Sequence, residues 1–160
     1  MSQVDVWTPI GPEEVSGIGV GAGGVLGSIA IDGQTIYVGS GSCGVWRRDA
    51  SSGSWNPVSD QPPTLGVAAL AVDPARSGRV FAALIGNGIY LSDDSGASWQ
   101  FQGSPAMGQP VDPYRTDLLV QNKVLHMITA QGIFRPEILG VTWALTKKGV
   151  ATSLVRHPKA

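Results

Sequence analysis

Short apolar runs, three to five residues long and divided by turn residues, recur along this chain with a fixed step. Trp55, Trp99 and Trp143 are successively 44 residues apart. The same step relates Gly44-Val45-Trp46 to Gly88-Ile89-Tyr90 and to Gly132-Ile133-Phe134, and Ile36 to Val80 and Val124. Each unit reads as four short strands. The first is Ser28–Ile31, Ala69–Val72 or Asp117–Val120, and the second is Ile36–Gly39, Val80–Ala83 or Val124–Met127. The third is Val45–Arg47, Ile89–Leu91 or Ile133–Arg135, and the fourth starts at each tryptophan. β-Branched and aromatic residues fill the runs, while Asp32-Gly33, Asp73-Pro74 and Asn87-Gly88 punctuate them. No window keeps a 3.6-residue apolar period over ten or more residues, so essentially no helix is expected.

Four-stranded units of this length are the blades of a β-propeller. The fold class expected is all-β, antiparallel four-stranded blades forming an incomplete ring. Blade one is expected over 25–60, blade two over 67–103 and blade three over 116–148. Residues 3–10, around Trp7, read as an orphan fourth strand, and 150–156 as the first strand of a further blade. Closed propellers typically need about 4–8 blades, so three form an arc whose end faces require covering.

Ser92-Asp93-Asp94-Ser95-Gly96-Ala97-Ser98-Trp99 fits all five specified positions of S-x-D-x-G-x-[ST]-W. In this it resembles the Asp-box hairpin of the BNR-repeat propellers, which include sialidases, xyloglucanases and sortilin-type receptors. The other two copies are degenerate: Gly140 and Thr142 remain before Trp143, and Asp49, Gly53 and Ser54 precede Trp55 out of register. The resemblance implies a structural role for Ser92, Asp94, Gly96 and Trp99. Asp94 would accept turn N–H bonds, Gly96 would supply a positive φ, and Trp99 would bury its ring between sheets.

Composition sharpens this picture. With 22 Gly and 11 Pro among 160 residues, the chain is rich in turns. Only 14% of residues are charged, against about a quarter on average, while 42% are hydrophobic, which argues for a packed fold over disorder. Net charge is -1 with no basic cluster, so no nucleic-acid partner is expected. Cys43 stands alone, excluding an internal disulfide and a multi-cysteine metal site. The uncharged stretch Val15–Ile31 is glycine-rich and shorter than the about 20 residues of a membrane span. Neither a span nor a signal peptide is read there. That leaves a soluble chain whose compartment (cytoplasmic, virion-associated or reached by unconventional export) is open.

Catalytic chemistry finds little support. The stretch from Trp7 to Asp60 resembles the first blade of xyloglucanase-type propellers, where a catalytic Asp precedes a Gly-Gly-x-Tyr turn. Here that turn is Gly41-Ser42-Cys43-Gly44-Val45-Trp46, without an acid. Asp60 is then a lone carboxylate, whereas glycoside hydrolysis generally uses two. Ile133-Phe134-Arg135-Pro136 resembles the Phe-Arg-Ile-Pro motif of sialidases, but the 44-residue register accounts for it as a third strand. Gly19-Val20-Gly21-Ala22-Gly23-Gly24 precedes a β-like run where dinucleotide binding needs a helix. His126 falls at the position of Val38 and Ala82, between blades, and reads as a packing residue.

Binding remains. Trp46, Tyr90 and Tyr114 could stack on sugars, and Asp60 lies in one of the proline-rich loops that depart from the repeat. The expected function is a non-catalytic binding or assembly module for protein or glycan, its blade ends covered by further copies or a partner chain. The alternative is a fragment or degenerate relative of an Asp-box glycoside hydrolase. No catalytic residue, metal site or cofactor is expected.

Overall fold

The structure is a computed structural model that describes residues 26–60, 62–104, 111, 116–138 and 142–149. The terminal strands expected at 3–10 and 150–156, and Tyr114, lie outside the described residues. Among the described residues twelve strands form, in the order the pattern predicts, and there is no helix. The first sheet comprises β1 (Leu26–Asp32), β2 (Thr35–Ser40), β3 (Gly44–Arg48) and β4 (Trp55–Pro57). The second comprises β5 (Val67–Val72), β6 (Val80–Leu84), β7 (Gly88–Ser92) and β8 (Gln100–Phe101). The third comprises β9 (Asp117–Gln121), β10 (Val124–Thr129), β11 (Gly132–Ile138) and β12 (Thr142–Lys148). Each sheet is an antiparallel meander whose strands neighbour one another in chain order.

The turns follow local chemistry. Gly33, at φ 60°, opens the two-residue β1–β2 loop, and Asn122 and Lys123, at φ 52° and 65°, form the β9–β10 loop. In the β9–β10 loop, positive φ at both central residues matches the right-handed strand twist. The repeating glycine that opens each third strand has a packing reason. A side chain on Gly44, Gly88 or Gly132 would run into Ser59, Gly103 or Lys147 respectively, each fifteen residues further on. The 44-residue step therefore repeats a contact as well as a turn.

The sheets stack through two apolar seams, with first strands β1, β5 and β9 side by side at the inner edge. In the first seam Ala30, Tyr37 and Val45 face Val67, Leu70, Val80, Ala82 and Leu84 of the second sheet. In the second, Ala69, Ala71, Phe81, Ala83 and Ile89 face Leu118, Val120, Leu125 and Met127, and Val111 fills the same cluster. Alternation sends one set of side chains forward and the other back, so the middle sheet is buried on both faces.

The third sheet departs from the repeat by one residue. Val38 pairs with Trp46 and Ala82 with Tyr90, but Phe134 pairs with Met127 instead of His126. The cause is the β10–β11 turn, which has two residues, Ala130 and Gln131, where the other sheets have three. A one-residue slip moves every side chain to the opposite face. His126 therefore takes the place of Tyr37 and Phe81, on the outward face, and not that of Val38 and Ala82.

Candidate functional site

The hairpin over residues 92–99 is a closed hydrogen-bond system. Ser92 Oγ donates to Asp94 Oδ1 at 2.8 Å and accepts from the Gly96 N–H at 2.7 Å. Asp94 Oδ1 also accepts from the Ser98 N–H at 2.8 Å, and Oδ2 from the Ser98 hydroxyl at 2.5 Å. These donors, the Ser98 hydroxyl foremost, hold the Asp94 carboxyl below the usual range. Gly96 has φ 93°, and a Cβ there would come 2.8 Å from Val58 of the preceding sheet. Trp99 Nε1 donates to the Val58 carbonyl at 2.6 Å, and Trp143 Nε1 repeats the bond to Gln102 at 3.3 Å. Both partners lie three residues after the preceding tryptophan, so each indole ties its sheet to the one before.

Further polar ties cross the first seam. Arg47 Nη1 donates to the Ser95 carbonyl at 2.9 Å, and the Tyr37 phenol shares a hydrogen bond with the Ser95 side chain. Burial nevertheless pushes the Tyr37 pKa up. Asp32 Oδ2 accepts from the Ser77 hydroxyl at 2.9 Å and from the Gly78 N–H at 2.7 Å. Within the second sheet Arg79 Nε lies 2.6 Å from Asp93, and that hydrogen bond lowers the Asp93 pKa.

The inner edges of the sheets enclose an open groove of about 620 Å³. Leu26, Ile29 and Leu70 provide its apolar wall, and the short side chains of Ala68 and Ala69 keep it wide. Ser28 and Thr116 also line it, and their hydroxyl oxygens are buried with no hydrogen-bond partner. Asp117 stands beside Thr116, with Oδ1 accepting the Leu118 N–H at 2.9 Å. Such hydroxyls on an apolar floor suit a small polar ligand or ordered water. Sequence reasoning passed over both residues, because neither departs from the composition of a strand end.

The residues singled out from the sequence lie apart. Trp46 is half-buried on β3, and its indole N–H donates to the Cys43 carbonyl at 2.9 Å. Tyr90 takes the corresponding position one sheet on, packed against the first seam with its ring centroid 5.4 Å from that of Phe101. Burial raises its pKa. Asp60 is exposed beyond β4. His126 is half-buried, and desolvation, aided by the Arg135 charge, lowers its pKa. Among the described residues no three His, Cys, Asp or Glu side chains converge as a metal site would need, and no helix is long and apolar enough to cross a membrane.

Four-stranded meanders stacked face to face, with their first strands along a common inner edge, define an incomplete β-propeller. Its solved likenesses agree. The GH74 xyloglucanase from Xanthomonas campestris is 20% identical with a TM-score of 0.61, over 77% of this chain and 21% of that one. The GH74 enzyme of Niastella koreensis is 23% identical with a TM-score of 0.63, over 82% and 22%. The computationally designed Ika4 protein is 14% identical with a TM-score of 0.61, over 86% and 83%. The chain thus spans about a fifth of the two GH74 enzymes and most of the designed protein. No family model matches the chain, and no curated protein does.

Proposed function

We propose that the chain is a non-catalytic β-propeller module that recognises a protein or carbohydrate surface, and that residues 92–99 are an Asp box bracing its blades. The observation that carries this reading is how the carboxylates are used. Asp32, Asp73, Asp93 and Asp94 each bind a turn or an arginine of the second blade, and Asp49 holds Arg47 Nε at 2.8 Å. A general acid or nucleophile needs a carboxylate turned toward substrate with its partner about 5–9.5 Å away. The Asp94 carboxylate instead accepts three hydrogen bonds from Ser92 and Ser98 of its own hairpin.

The fold likeness to a xyloglucanase favours one alternative, a degenerate or partial glycoside hydrolase. Assaying reducing-end release from xyloglucan with the full chain and with Asp60→Asn separates the two. No release by either protein is the expected result. Release that disappears in Asp60→Asn overturns the proposal in favour of the hydrolase. Retention on a glycan array, or a stoichiometric protein partner, with no turnover, is the positive outcome. The open blade ends belong to the same proposal: another copy or a partner chain covers them, because apolar blade faces and strand edges left open promote aggregation.

A further inference from the structure

We propose that the groove at the inner edge of the sheets holds an extended, uncharged peptide segment of a partner protein. The Ser28 and Thr116 hydroxyls bond its main chain, and Leu26 and Ile29 take its aliphatic side chains. This deepens the recognition reading above by choosing protein over carbohydrate and by placing the site, and it rests on that reading.

The two hydroxyls carry the argument. Both oxygens are buried without a hydrogen-bond partner. That arrangement lowers stability, and folded proteins seldom keep it without a use. The repeat does not require it. Ser28 pairs with Gly39 where blade two pairs Ala69 with Ala83, so the two blades differ there by little more than the hydroxyl. Ser28 lines the groove from β1 and Thr116 from just before β9, and β5 lies between those strands. A ligand that reaches both hydroxyls therefore crosses the small side chains of Ala68 and Ala69.

The main chain is opened at the same place. Pairing with the second strand shifts register between Leu26 and Ser28 in β1, and between Val67 and Ala69 in β5. The residues left over, Gly27 and Ala68, both line the groove. A bulge takes its extra residue out of the ladder, and bulges collect beside functional sites. Gly27, exposed and without a side chain, lets another backbone come close.

The lining also selects among ligands. It holds no Lys, Arg or His among the described residues, and its one charge is the Asp117 carboxylate, so phosphates, sulfates and carboxylates are disfavoured. No aromatic ring among those residues offers a sugar a stacking face. Leu26 and Ile29, 53% and 62% exposed, are aliphatic and suit aliphatic side chains. A hydroxyl both donates and accepts, and so can bond either an N–H or a C=O of an extended chain. At about 620 Å³ the groove falls within the range of about 300–1,000 Å³ usual for ligand sites.

Arrays of acetylated, amidated hexapeptides, one set uncharged and aliphatic and one acidic, test this when probed with the full chain and followed by calorimetry. The uncharged set should be retained and the acidic set should not. Thr116→Val and Ser28→Ala should each weaken that binding about five- to tenfold. Each should also raise the melting temperature of the free chain, because it deletes a buried hydroxyl that has no partner there. Leu26→Asn, at an exposed position, removes part of the aliphatic wall and should weaken binding as well. Retention of no peptide, retention of acidic peptides alone, or binding indifferent to all three substitutions overturns the inference. So does a lowered melting temperature in both hydroxyl variants, which would mean that the hydroxyls serve the fold. Retention of a glycan in place of the peptides, lost in Thr116→Val, overturns the peptide assignment and leaves the recognition reading intact. Xyloglucan hydrolysis by a chain that still binds the peptides would overturn the functional reading and leave the groove assignment standing.

Discussion

At the residue scale, the chain holds its blades together with a few polar atoms placed in apolar seams. Trp99 contributes both a ring and a hydrogen bond of 2.6 Å. Replacing it with Phe keeps most of the ring and removes the N–H, so stability should fall by about 1–2 kcal/mol in urea unfolding. The longer Trp143 bond should matter less, and Trp143→Phe should cost under half as much. Gly96→Ala combines a positive φ with a clash on Val58 and should cost about 2–3 kcal/mol. Asp93 and Asp94 both titrate below the ordinary carboxylate value of 3.8. Their contribution is therefore complete above that value and lost as pH falls through the lowered folded values. An acid titration of unfolding free energy should steepen below pH 3.8, and less so in Asp94→Asn. The Ser-x-Asp-x-Gly spacing was legible in the sequence because all its bonds are local. The Val58 carbonyl was not, because that contact depends on how two blades stack.

At the element scale, all twelve strands could be read from apolar runs and turn residues, since each hairpin closes over two to seven residues. The register of the third blade could not. Gly132 and Trp143 keep the 44-residue step, and only the short Ala130–Gln131 turn reveals that β10 has slipped against it. Turn length is weakly written in a sequence, whereas tryptophans are conspicuous. One consequence concerns His126. Its pKa lies below the ordinary 6.5, so the unfolded chain takes up a proton before the folded chain does. Stability is therefore highest above pH 6.5 and declines as pH falls through the lowered value. His126→Phe, borrowing the residue of blade two, should abolish that decline in thermal melts between neutral and mildly acidic pH. Inserting one residue between Ala130 and Gln131 should restore the three-residue turn while forcing β10 to flip its faces. Loss of cooperative unfolding in the third blade, followed by amide exchange, is the expected result.

At the scale of the molecule, the arc is a one-dimensional stack in which each blade meets only its neighbours. Among the described residues its two seams are not alike. The first is fastened by Asp32, Tyr37, Arg47 and Trp99 around an apolar centre, and the second has Trp143 beside a cluster of alanines, Phe81, Met127 and Val111. Apolar attraction weakens on cooling, whereas polar bonds do not share that dependence. The two joints should therefore respond to temperature in opposite order. Chilling should loosen the third blade while the first two stay locked, making the array a hinge that softens in the cold at a single, predictable place.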